Sequence, residues 1–302
     1  MKIAFLILAH KNPNHLLSLV RKLSHKNDTF FIHVDKKSEI KDFQDEFIDS
    51  EINIHFLKER YNIRWGGLEM VQATLKGIEA ALKYELNFDH YILLSGADYP
   101  IQPASSIRLF YEENKHKSFI EFQPFPIESL RFGGMDRINC YSTSVFGKRE
   151  TFLPQKWQNS LSWKRKSLNF ALRMRFIGKS ARKFPYNWQA YYGSQWWSLS
   201  HEAIQFIMSF LKTNPDYIAY HKYSLIPDEM FFQSILLNAY PNKELLNNDN
   251  KRFIKFLKGS SHPKALQVED LEEMFSSGKL FARKFEEEGK IINLIDNNNA
   301  TT

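Results

Sequence analysis

The run Tyr91-Ile-Leu-Leu94 has no polar face, and it stops abruptly at Ser95-Gly-Ala-Asp-Tyr-Pro100. An apolar run this short, bounded by turn residues, reads as a strand covered on both sides, the mark of a parallel sheet held between layers of helices. Ligands of open α/β sheets gather outside the carboxyl ends of the strands, so Asp98 falls where a ligand would be met. Taken alone, the residue is better read as an Asp that closes a turn on its own backbone.

The same construction recurs along the chain. Residues 3–9 form an apolar first strand, after which Asn12-Pro13 opens a helix with Leu16, Leu17, Val20 and Leu23 on one side. Residues 29–34 give a second buried strand ending at Asp35, and Ser38 is placed to cap a short polar helix. A third strand is expected over 52–56. Arg64-Trp-Gly-Gly67 then leads into a helix with Met70, Val71, Leu75, Ile78 and Leu82 at helical spacing. A helix around 105–114 and a strand over 118–122 continue the alternation, which predicts an α/β fold with a mostly parallel central sheet flanked by helices. Residues 124–147 carry no pattern that assigns an element.

Gly193-Ser-Gln-Trp-Trp-Ser-Leu199 reads as a short strand whose two tryptophans point to opposite faces, one into the core and the other free to stack on a sugar ring or pack at a rim. Ser200 caps a helix to about residue 211. Pro227-Asp-Glu229 opens a helix over 230–239, where carboxylates in the first turn are favoured by the helix dipole whatever their function. A strand-like run over 251–257, a helix near 269–275 and Leu280-Phe-Ala-Arg-Lys-Phe285 follow. Residues 1–295 are expected to form one domain, and the Asn- and Thr-rich residues 296–302 a disordered tail.

Composition narrows the classes. One cysteine, Cys140, rules out an intramolecular disulfide and a cysteine-based zinc site, which suits a cytoplasmic protein. No stretch reaches the roughly 18 to 20 apolar residues of a membrane span. There is no G-x-G-x-x-G, P-loop or other glycine-rich phosphate cradle, and no nucleic-acid motif. The net charge of +7 is concentrated: residues 148–183 hold eleven Lys or Arg against Glu150 alone, leaving the rest of the chain at about −3. Within that window Trp157, Leu161, Leu168, Leu172 and Phe176 share a helical face, so an inserted basic amphipathic helix is expected. It suits an ordinary solvated face, a charged acceptor or nucleic acid, or an anionic membrane surface, where each basic residue adds about 1 kcal/mol.

Six motifs then fall in order and register. Val34-Asp35, Trp65-Gly-Gly67, Leu94-Ser-Gly-Ala-Asp-Tyr-Pro100, Gly193-Ser-Gln-Trp196, Pro227-Asp-Glu229 and Leu280-Phe-Ala-Arg-Lys-Phe285 resemble the core-2/I-branching enzyme family, which includes β-1,6-N-acetylglucosaminyltransferases and peptide O-xylosyltransferases. The resemblance implies a GT-A-type nucleotide-binding fold and an inverting, metal-independent glycosyltransferase using a UDP-sugar. The chain contains no D-x-D, the carboxylate pair that commonly holds the divalent ion of the diphosphate, so fixed cations would take that role.

Residue by residue, the resemblance makes Glu229 the general base that takes the acceptor's proton. It makes Lys284 a diphosphate contact, and sets Val34, Asp35, Trp65 and Asp98 against the nucleotide and donor sugar. Ser194, Gln195 and Trp196 are the expected acceptor contacts. An Arg of the animal enzymes falls here on Ser261, so Lys264, His262 and Arg252 are the candidates to replace it. N-acetylglucosamine is the first expectation for the transferred sugar, with xylose or another sugar the alternative. No cofactor or metal is expected. The partners are a UDP-sugar and a glycan or lipid-linked glycan, with residues 148–183 at the inner face of a plasma membrane and no nucleic acid. A non-catalytic glycan- or membrane-binding protein is the competing class.

Overall fold

The computed structural model describes residues 1–84, 87–145, 148–153, 166–167, 170, 182–257, 262–286 and 289–301. In chain order the first half runs β1 (Ile3–Ala9), α1 (Pro13–Leu23), β2 (Thr29–Val34), α2 (Ile40–Asp45), β3 (Ile54–Phe56), α3 (Glu69–Lys83), β4 (His90–Ser95), β5 (Asp98–Pro100), α4 (Ala104–Glu113), β6 (Ser118–Ile120), β7 (Gln123–Pro124), α5 (Met135–Asn139), β8 (Tyr141–Val145) and β9 (Lys148–Phe152). The second half runs β10 (Tyr191–Tyr192), β11 (Trp197–Ser200), α6 (His201–Thr213), α7 (Pro215–His221), α8 (Phe231–Ala239), β12 (Leu246–Asn247), β13 (Arg252–Ile254), α9 (Leu271–Ser276), β14 (Phe281–Arg283) and α10 (Lys290–Thr301).

Seven strands form the central sheet in the order β12-β6-β11-β4-β1-β2-β3. All neighbours are parallel except β11, which runs antiparallel to both β4 and β6. The unbroken apolar runs follow from this placement. Ile3, Phe5 and Ile7 of β1, with Ile92 and Leu94 of β4, pack under α1, whereas Leu6, Leu8, Tyr91 and Leu93 point to the opposite layer with α3, α6 and α8. Each such aliphatic or aromatic side chain, fully covered, contributes about 1.5–3 kcal/mol.

Ala9 pairs with Val34 and Leu8 with Ser95, so the loops leaving β1, β2 and β4 emerge side by side at one edge. A second, three-stranded sheet, β13-β14-β5, covers that edge and sets Arg283 opposite Asp98.

Several local expectations are corrected. The expected tail beyond Asp296 is instead part of α10, because Ile291, Ile292 and Ile295 reach the core at helical spacing and Asp296 pairs with Lys22 at 2.7 Å. Asn12 does precede α1, but its side chain makes no cap and donates to the Glu286 carbonyl. Glu39, not Ser38, caps α2, and Ser38 donates to the His10 carbonyl at 2.6 Å. Most of the expected basic amphipathic helix in 148–183 lies outside the described residues.

Candidate active site

Beside the edge where the parallel strands end lies a cleft of about 780 Å³. Glu229 reaches it from a 3-10 turn, Pro227–Glu229, that precedes α8, so the helix begins later than the sequence suggests. Ile226, with φ 50°, turns the chain into this position and donates its N–H to the Gly66 carbonyl at 3.0 Å. From the other side the Gly193 N–H donates to the Glu229 carbonyl at 2.8 Å. A Cβ on Gly193 would lie 1.8 Å from the Glu121 carbonyl oxygen, so this close approach admits only glycine.

The Glu229 carboxylate is paired with the guanidinium of Arg137, which sits 5.2 Å from the centre of the Tyr192 ring. Arg137 comes from the segment where sequence gave no pattern: a five-residue helix has too little periodicity to be read. Three further carboxylates line the cleft. Burial, and then the charge of Glu229, push Asp228 up to about 7. Burial likewise raises Glu121, which accepts from the Asn250 amide at 3.0 Å. For a third, Asp249, burial works upward, but hydrogen bonds from Lys279 and Lys251 outweigh it and hold the group below its ordinary range.

Of the residues singled out in the sequence, Glu229, Trp65, Ser194, Gln195, Trp196, His262 and Arg252 line this cleft. Trp65 is 56% exposed at its mouth, edge-on to His262. Arg252 is buried, and its guanidinium is taken up by protein oxygens: the carbonyls of Leu93 and Trp197 at 3.0 and 2.9 Å and the Ser198 hydroxyl at 2.9 Å. The two tryptophans do not part as the alternation suggests: both are buried in the same core layer, Trp196 also lines the cleft, and the strand itself starts only at Trp197.

Val34, Asp35, Asp98, Lys264 and Lys284 do not line it. Val34 is buried in the sheet. Asp35 accepts from the backbone N–H groups of Lys37 and Ile63 at 2.9 and 3.3 Å, which fixes the loop that carries Arg64 and Trp65. Asp98 is fully buried, accepting from the Ser95 N–H at 2.9 Å and paired with Arg283 at 3.0 Å. Lys264 is held by Asp270 at 2.8 Å and Lys284 by Glu286 at 3.0 Å. Ser261 lies outside the described residues.

Besides Arg137 and the buried Arg252, the Lys and Arg side chains lining the cleft are Arg64, Lys279 and Arg283. Arg283, one position before Lys284 in the quoted motif, lies with its guanidinium 4.3 Å from the centre of the Trp196 ring. Among the described residues no three His, Cys, Asp or Glu side chains are grouped as a metal site requires.

A family model described as core-2/I-branching enzyme matches residues 3–277. The chain belongs to this family. The match takes in every cleft residue of this branching-family chain except Lys279 and Arg283, which lie beyond its end.

The β-glucuronosyltransferase GlcAT14A of Arabidopsis thaliana is 23% identical over 285 residues, covering 91% of this chain and 58% of its own length. The xylosyltransferase sqv-6 of Caenorhabditis elegans is 25% identical over 249 residues, covering 79% and 27%. The branching-family chain thus spans from about a quarter to about three-fifths of the length of these curated relatives. Among solved structures it is similar to a 4-diphosphocytidyl-2C-methyl-D-erythritol synthase of Anaerococcus prevotii at a TM-score of 0.40 and 10% identity, covering 91% of this chain and 97% of that one. At that score the fold assignment rests on the sheet topology described above.

Proposed function

We propose that the chain is an inverting glycosyltransferase that moves a sugar from a UDP-sugar to an acceptor hydroxyl, with Glu229 as the general base. The observation that carries the reading is the Glu229 carboxylate: partly exposed, turned into the cleft and held from behind at both backbone ends. A carboxylate within about 3 Å of an acceptor hydroxyl can take its proton as the oxygen attacks the anomeric carbon. Negative charge then grows on the departing diphosphate, and fixed cations stabilise it without reorganising. Arg283 and Arg64 are the groups in this cleft best suited to that role, with Lys279 at hand once released from Asp249.

Family membership and the names of the two relatives support transfer of a sugar, and those names differ in which sugar is moved. UDP-N-acetylglucosamine, UDP-xylose and UDP-glucuronate are therefore the arms of a thermal-shift panel, in which a ligand bound only by the folded chain raises its melting temperature. No helix among the described residues is long and apolar enough to cross a membrane. A lipid-linked acceptor presented at a bilayer, with residues 148–183 against anionic headgroups, completes the reading.

The deciding experiment is Glu229→Gln. It is expected to keep the UDP-induced thermal shift and lose transfer by about a hundredfold or more. Wild-type protein that binds UDP yet never turns over would leave the non-catalytic binding protein instead.

A further inference from the structure

Two segments converge on the pair formed by Arg137 and Glu229. One is α5, which carries Arg137 and runs through Asn139 and Cys140 into β8. The other leaves α7, passes Lys222 to Ser224 and reaches the turn that holds Glu229. Neither belongs to the central sheet, so something else must set the distance between them.

Arg182 does so. It is 7% exposed, does not line the cleft, and bonds to both segments at once. Toward α5 its N–H donates to the Asn139 carbonyl at 3.1 Å and its Nη1 to the Cys140 carbonyl at 2.9 Å. Toward the other segment it donates to the Tyr223 carbonyl at 2.8 Å, the Ser224 hydroxyl at 3.1 Å and the Tyr220 carbonyl at 2.5 Å. The guanidinium also lies 3.8 Å from the centre of the Tyr220 ring, whose hydroxyl donates to the Ile138 carbonyl at 2.6 Å.

A planar fork with five fixed donors can hold two sets of carbonyls in one geometry, which a lysine ammonium on a flexible stem cannot do. Arg149, on the strand β9 paired with β8, adds to the same tie by donating to the carbonyls of Lys222 and Ser224, each at 2.8 Å.

We propose that Arg182 is a positioning residue: it fixes the separation of Arg137 and Glu229 and so aims the Glu229 carboxylate at the acceptor hydroxyl. The catalytic half of this statement rests on the transferase reading, and the geometric half does not. Misplacing a reacting group by about 1 Å can cost about a hundredfold in rate.

The test uses Arg182→Lys and Tyr220→Phe, which remove bridging contacts in different ways. In both, kcat is expected to fall about tenfold or more, while the donor KM and the UDP-induced thermal shift stay at wild-type values. In an Arg137→Gln background the loss caused by Arg182→Lys is expected to shrink to less than threefold, because residues acting as a unit do not add. Folded variants with wild-type kcat, or losses that multiply independently, would overturn the proposal. If Arg182→Lys does not fold, Tyr220→Phe decides by the same criteria. Crystal structures of the variants give a readout independent of turnover: Arg137 and Glu229 should no longer be paired, and an unchanged pair refutes the assignment even if the wild type transfers no sugar.

Discussion

Gly193 and Glu229 are joined back to back: the N–H of the first donates to the carbonyl of the second at 2.8 Å, which ties the loop entering β11 to the turn entering α8. The Cβ that Gly193→Ala would add meets the Glu121 carbonyl at 1.8 Å, and a backbone atom cannot rotate away. The variant is expected to lose about 1–3 kcal/mol of stability. Its kcat should fall with it, because Glu229 is displaced. Urea unfolding and transfer kinetics on the same preparation check both.

Asp228 makes stability depend on pH. Folded, it keeps its proton until about pH 7; its ordinary value is 3.8. Between those limits the folded chain holds a proton that the unfolded chain has released, so stability falls as pH rises from about 4 to about 7 and then levels. Asp228→Asn removes this component. Relative to wild type its Tm is expected to rise by about 3 °C or more at pH 8 and to show no gain at pH 4. A Tm difference independent of pH would refute the assignment.

In the ion pair of Asp98 and Arg283 the carboxylate is fully buried while the guanidinium reaches the cleft, and burial still pushes Asp98 upward despite the guanidinium beside it. Desolvation therefore exceeds what the attraction returns. Asp98→Ala leaves a buried guanidinium without its partner and should cost about 3–5 kcal/mol. The double replacement Asp98→Leu with Arg283→Met should cost less than Asp98→Ala alone, measured by denaturant midpoints, although it removes a proposed diphosphate contact and so should abolish transfer.

Chelation tests the electrostatics of the proposed leaving group. With Arg64, Arg283 and Lys279 in place of an ion, EDTA is expected to leave the transfer rate unchanged and added manganese to give no increase. A loss of tenfold or more on chelation, restored by manganese, would count against the metal-independent reading.

The sheet could be read from sequence because its strands are apolar on both faces, a pattern that turns cannot imitate; β1, β2 and β4 end within a residue of where their runs stop. Glu229, Trp65 and Trp196 were legible through the family resemblance of the motifs that hold them; read from its spacing alone, Glu229 was a first-turn carboxylate favoured by the helix dipole. Arg137 left no trace, since its helix is only five residues long and is held through the backbone of Ile138, Asn139 and Cys140 by Tyr220 and Arg182 rather than by a periodic apolar face. Lys284 was legible as a motif but not as a contact: nothing in Phe281-Ala-Arg-Lys tells which of two adjacent cations turns toward the cleft, and it is Arg283 that does. The last helix was missed because the Asn-rich composition of residues 296–302 masks three isoleucines just upstream that anchor it.

One reversed strand decides where variation can be tolerated. Since β11 points against β4, what arrives at the cleft is the peptide leading into β11, and what departs from it, Ser200 and α6, is carried to the far edge of the sheet beside His90. A single residue added between Tyr192 and Trp196 should therefore push the proposed base out of line.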